Sequence, residues 1–172
     1  MLLGLNLSHD SSAALVDESG IVLAAISEER ITRKKNQISF PRHSIAAIAS
    51  VFDISQVSTV VIGSHSNFKY ANMNSLHWIF EKGDFPKFDG IFDKFVWPPG
   101  YAPSPQLDHS NDPKGVLREA WVKEQVNAEL KPLGILANVI FRNHHDAHVF
   151  SGIGSAEYEH GLAFSLDGEG DG

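Results

Sequence analysis

The sequence predicts an α/β fold, with three closely spaced strands ahead of an alternation of helices and strands. Three observations lead there. Short apolar runs at 1–7, 13–16 and 21–26 are separated only by the polar break HDSS at 9–12 and the turn signal DESG at 17–20, the pattern of an antiparallel meander. Isolated apolar runs at 57–62 and 135–141 then alternate with segments of helical periodicity. The chain of 172 residues, 42% apolar and 20% charged, is also long enough to bury the core such a sheet needs.

Taken in order, MLLGLNL at 1–7 reads as a buried strand, 13–16 as a second and IVLAAI at 21–26 as a third. Residues 27–40 are charged and read as loop, and Pro41 precedes an amphipathic helix at 43–52 in which Ile45, Ile48 and Phe52 recur at helical spacing. VSTVVI at 57–62 is β-branched and is closed by Gly63, hence a strand. The stretch 64–113 is rich in proline and aromatic residues and reads as an insertion packed by aromatic anchors, with helical turns around 74–81. Apolar residues interleaved with charges make 115–130 a helix ended by Pro132 and Gly134, before a buried strand at 135–141. A helix opens at His144, and a last strand at 161–166 runs into the Gly/Asp turn DGEGDG at 167–172. The resulting order, βββαβαβα plus the first strand of a second half, resembles one half of the duplicated actin-like ATPase (ribonuclease H-like) fold. The HDSS and DGEGDG turns would then be equivalent turns flanking nucleotide phosphates.

Composition narrows the function. A formal net charge of −7 provides no basic field for a nucleic-acid backbone. There is no cysteine, so thiolate metal sites and disulfides are excluded and any metal takes nitrogen and oxygen ligands. No apolar run approaches the ~20 residues of a membrane span, and the apolar start is too short for a signal peptide. A cytoplasmic location is expected.

The strongest chemical constellation is NHHDAH at 143–148. On a helix, His144 and His148 lie four positions apart on one face, and neutral imidazole is a good ligand for zinc or iron. Asp167, at the end of an apolar strand, could supply a carboxylate, and two His plus one carboxylate leave coordination positions open. The competing account is a polar helix start. His145 faces elsewhere, in a supporting or solvent-facing place. Gly168 and Gly170 would let backbone N–H groups approach an anion, although Gly and Asp are also the default residues of a plain hairpin turn. His9 could act as a general base, with Asp10 orienting it or contacting substrate; a capping turn is the alternative. Glu28, Glu29 and Arg30 with Arg33, Lys34 and Lys35 form a mixed charge run, ordinarily a solvated face. Its bases could hold a phosphate or carbamoyl group.

Together, GLNLSHDSSAALV at 4–16, AAISEERITRKKN at 24–36, FP at 40–41, NHHDAH at 143–148 and SLDGEGDG at 165–172 resemble the carbamoyltransferase family, which includes nodulation-type and antibiotic-tailoring O-carbamoyltransferases. The resemblance spans the chain and implies that 1–172 is an incomplete amino-terminal domain carrying the insertion at about 64–113, with an adenylate-forming carboxy-terminal domain elsewhere in the protein. It further implies that carbamoyl phosphate and ATP give a carbamoyl-adenylate, whose carbamoyl group passes to a hydroxyl of a small-molecule acceptor. The resemblance gives the metal as Fe(II), with zinc as the alternative, held by His144, His148 and Asp167. His9 corresponds to the residue that takes the acceptor proton. Lys35, or Lys34 in the alternative register, corresponds to a basic substrate-binding residue, and Asn36 stands where many relatives carry His. The isolated chain is expected to be inactive, and its exposed cleft face is compatible with a homodimer. The alternative function is an actin-like ATPase or sugar-kinase fragment without carbamoyl chemistry.

Overall fold

A computed structural model describes residues 1–7, 10–35, 37–63, 79–80, 113–155, 161–162 and 165. Five strands form one sheet: β1 (Leu2–Asn6), β2 (Ser12–Val16), β3 (Val22–Ser27), β4 (Thr59–Ile62) and β5 (Asn138–Phe141). The order across the sheet is β3-β2-β1-β4-β5. The β1–β2 and β2–β3 pairs are antiparallel, whereas β1–β4 and β4–β5 are parallel. Short turns permit the first kind of pairing and long crossovers the second.

Alternation fixes which face is buried. Leu3 pairs with Leu15 on one side and Val60 on the other, and Val60 with Val139, so four buried side chains lie in one row across the sheet. Ala13, Leu5 and Ile62 form the next row. A slip of one residue in any strand would turn its row to the opposite face.

Among the described residues the sheet is accompanied by helices α1 (Glu28–Thr32), α2 (Arg42–Ala49), α3 (Pro113–Leu130) and α4 (His144–Ser155). The buried rows join one apolar cluster with Ile45 and Ile48 of α2 and with Val122, Val126 and Leu130 of α3, which recur every four positions. Arg42 ties the two helices together, donating from Nε to Glu129 Oε2 at 2.8 Å and from Nη2 to Glu129 Oε1 at 2.5 Å. Its Nη2 also reaches the Phe80 carbonyl at 2.6 Å. The Phe80 ring lies 5.7 Å from that of Phe40 and 5.6 Å from that of Trp121. A short 3-10 turn, Lys131–Leu133, follows α3, and Gly134 at φ 75° closes it. Glycine suits this left-handed position because a Cβ would be strained there.

Two expectations require correction. Residues 27–40 are not simply loop: β3 extends to Ser27 and α1 follows at once, so the element order gains a helix between β3 and α2. Glu28 is also not part of a solvated face, being 1% exposed. Of the strand expected at 161–166, only 161, 162 and 165 are described, and these three are not in strand. The turn at 167–172 lies outside the described residues. No helix among the described residues is long and apolar enough to cross a membrane.

Candidate active edge

The parallel strands β1, β4 and β5 all end on the same side of the sheet, where Leu5 pairs with Ile62 and Ile62 with Phe141. On that side β2 begins at Ser12, paired with both Asn6 and Ser27. From the adjacent parallel strands β1 and β4 the chain continues in opposite directions, from β1 to β2 and from β4 to β5. This is a topological switch point, where open α/β sheets bind ligands beyond the carboxyl ends of their strands. The edge runs from β3 to β5, four interstrand steps or about 19 Å.

Each sequence-predicted site segment with described residues reaches this edge. Asn143 begins α4: its Oδ1 accepts the Asp146 N–H at 3.1 Å and its carbonyl accepts the Ala147 N–H at 3.0 Å. This is the side-chain cap that Asn characteristically provides. The helix then presents His144 and His148 on one face. Their rings cross at 87° with centroids 4.5 Å apart, and their Nε2 atoms are separated by 3.1 Å. Two nitrogens bound to one zinc ion at ~2.0–2.1 Å would lie about 2.9 Å apart at a right angle and about 3.3 Å apart at the tetrahedral angle. The observed pair falls between these, so the two imidazoles fit as two ligands of one cation. An imidazole–imidazole hydrogen bond uses the same geometry. Among the described residues no third His, Asp or Glu completes a group of three. Asp167, Gly168 and Gly170 lie outside the described residues, as do His9 and Asn36. His145 Nδ1 lies 2.7 Å from Ser165 Oγ, which ties α4 to the segment just ahead of Asp167.

Helix α4 packs against the switch point itself. A Cβ built on Gly63, which follows β4, would lie 3.6 Å from Ala147 Cβ, and the Gly63 N–H donates to the Leu5 carbonyl at 3.3 Å. The small residues Gly63 and Ala147 let the histidine helix sit close to the ends of β1 and β4.

At the other end of the edge stand Asp10 and Lys35, both exposed. Asp10 has φ 58°, and its carbonyl accepts a hydrogen bond from Asn6 Nδ2 at 3.3 Å. Arg33, at the end of α1, has φ 62°, and its N–H donates to the Glu29 carbonyl at 2.9 Å. A left-handed non-glycine residue costs on the order of 1–3 kcal/mol and persists where its surroundings hold it. The Ser11 N–H donates to the Gln37 carbonyl at 3.0 Å, joining the loop that carries Lys35 to the turn that carries Asp10.

Sequence reasoning missed the residue beneath this junction. The Glu28 carboxylate accepts the Ser44 N–H at 2.8 Å, the Ser44 hydroxyl at 2.7 Å and the His43 N–H at 3.0 Å, and its Oε1 lies 2.7 Å from His43 Nδ1. Burial alone would push its pKa up. The Ser44 and His43 hydrogen bonds together outweigh burial and hold the carboxyl below the ordinary glutamate value. Glu28 thereby caps α2, whose own N-cap position is Pro41 and supplies no side-chain acceptor. That uncapped start was the available signal: a helix beginning after proline needs an acceptor from elsewhere.

This is an α/β domain whose strand carboxyl ends form one edge, at which a helix carries a histidine pair. A sequence profile described as the carbamoyltransferase N-terminus matches residues 1–172, and the chain belongs to that family. The uncharacterized protein sll1178 of Synechocystis sp. is 27% identical over 165 residues, covering 95% of this chain and 24% of that relative. The uncharacterized protein MJ1051 of Methanocaldococcus jannaschii is 40% identical over 63 residues, covering 37% of this chain and 12% of that relative. The chain thus spans about a quarter or less of the length of these relatives.

Proposed function

We propose that this chain supplies the acceptor-side half of a site transferring a carbamoyl group from a carbamoyl-adenylate, made from carbamoyl phosphate and ATP, to a hydroxyl of a small molecule. The observation that carries the reading is the family match over 1–172. The meeting of His144 and His148 at the same sheet edge as Asp10 and Lys35 is in keeping with it. The strand order β3-β2-β1-β4-β5, with its antiparallel meander and two parallel strands, supports the further reading as one half of an actin-like, ribonuclease H-like fold.

In this reading His144, His148 and Asp167 hold a divalent cation, Fe(II) or zinc. Such a cation would supply charge neutralisation at the phosphate of the leaving group. Lys35 and the glycine-rich turn at Gly168 and Gly170 bind and orient that phosphate, and Asp10 orients the acceptor or His9. His9 takes the hydroxyl proton as the acceptor oxygen bonds to the carbamoyl carbon. The bond from that carbon to the phosphate oxygen breaks, and AMP leaves with the electron pair.

The test uses the full-length enzyme with His9→Ala. Carbamoyl phosphate-dependent pyrophosphate release from ATP should continue while the carbamoylated acceptor no longer forms. Product formation at the wild-type rate would remove His9 from the mechanism.

A further inference from the structure

Four polar or charged side chains are buried among the described residues: Ser11, Glu28, Ser39 and Ser44. All four belong to one connected set. Ser11 Oγ lies 3.3 Å from Ser39 Oγ, which accepts from Gln37 Nε2 at 3.0 Å. The Thr32 hydroxyl lies 2.6 Å from Gln37 Oε1 and 3.1 Å from the Glu28 carbonyl. The Glu28 N–H donates to the Ser11 carbonyl at 2.8 Å, and the Glu28 carboxylate receives the start of α2.

The set has a definite geometry. The loop carrying Lys35 leaves from α1, the helix that Glu28 begins, and it returns at the start of α2, which the Glu28 carboxylate holds. The backbone of the same residue holds Ser11, next to Asp10. One residue therefore pins both ends of the Lys35 loop and the adjoining turn. The two left-handed non-glycine residues among the described residues, Asp10 and Arg33, stand one in the turn and one at the start of the loop.

Stability alone does not account for this arrangement. A helix start needs only a local Ser, Thr, Asp or Asn as its cap, and a buried ion pair replaced as a whole by packed apolar residues often costs no stability. Here the cap comes from 15 residues away and is spent where two strained, exposed loops meet. We infer that Glu28 is a positioning residue, whose buried carboxylate sets the placement of Lys35 and Asp10 relative to each other for ligand binding at this edge. The inference rests on the reading of the edge as a nucleotide-binding site.

The test compares full-length protein carrying Glu28→Gln with a stability-matched core variant, Val126→Ala. Two quantities are read per folded molecule: the dissociation constant for ATP by calorimetry, and hydrogen exchange in the peptide containing Ser11. Glu28→Gln is expected to weaken ATP binding at least tenfold and to speed Ser11 exchange at least tenfold, with neither change in Val126→Ala. Should Glu28→Gln not fold, Glu28→Asp keeps the charge but draws it back by a methylene, and the same readouts apply. Equal behaviour of the glutamate and core variants, or faster exchange with unchanged affinity, would overturn the inference. If wild-type protein binds no ATP, the nucleotide reading of the edge fails by itself. The exchange measurement then decides whether Glu28 positions the loops, with unchanged Ser11 exchange counting against it.

Discussion

Replacing Glu28 with alanine should destabilise the fold far more than its position in a charged run suggests. The substitution strips the acceptor from the Ser44 N–H and the Ser44 hydroxyl, both on a fully buried residue, and from the His43 N–H at the start of α2. A buried donor left without a partner costs about 1–3 kcal/mol, and loss of a helix cap about 1 kcal/mol. Taking the two Ser44 donors together with the cap gives about 3–7 kcal/mol. Against a total stability of about 5–15 kcal/mol, that is a large share. With a urea dependence of about 2 kcal/mol per molar, the unfolding midpoint should fall by roughly 1.5–3.5 M. Acid provides a second reading of the same group. Because the folded carboxyl lies below its ordinary value, its contribution is fully present above the unfolded glutamate pKa of about 4.3 and is lost as pH falls through the folded value. Wild-type protein should therefore lose stability across that acidic window more steeply than Glu28→Ala. A midpoint shift below about 0.5 M, or parallel acid curves for the two proteins, would refute the reasoning.

Two further outcomes follow from the geometry. In full-length protein, His144→Ala combined with His148→Ala should remove bound iron or zinc, because it deletes both imidazoles of the pair separated by 3.1 Å; elemental analysis finding the metal content unchanged would reject the pair as ligands. Arg42→Ala combined with Glu129→Ala in a double-mutant cycle should give a coupling of about 1–2 kcal/mol, above the ordinary surface pair, since the contact is bidentate and half buried; a coupling near zero in urea unfolding would show that the α2–α3 tie contributes nothing.

The parts of the fold that were legible in the sequence are those set by local pattern. Leu3, Leu5 and Leu7 alternate as a half-buried strand should, and all three are buried. The spacing of Ile45 and Ile48 marks α2, and the β-branched run marks β4. The four-residue separation of His144 and His148 was enough to put them on one face of α4, and the structure adds how closely their nitrogens approach. Glu28 was not legible. Its burial comes from a partner 15 residues later in the chain, and the surrounding glutamates, arginines and lysines carry the composition of a solvated surface. The link between the Asp10 turn and the Lys35 loop was hidden for a similar reason: it passes through the backbone of Ser11 and Gln37, which no side-chain pattern records. The readings of His9, Asp167, Gly168 and Gly170 fall outside the described residues.

The mixed sheet also has a kinetic consequence. Leu2 pairs with Val16 in the meander, whereas Thr59 pairs with Asn138 in the parallel half. Loop-closure entropy makes the second contact more costly to form by about 1.5 kcal/mol. The Glu28 end of the edge is thus built from near neighbours in the chain, and the histidine end hangs on its most distant pairing. When the native state opens transiently, β5 and the helix carrying His144 and His148 are expected to come away first, leaving the meander and its buried carboxylate intact; native-state hydrogen exchange faster in β5 than in β1 and β2 is the corresponding signature.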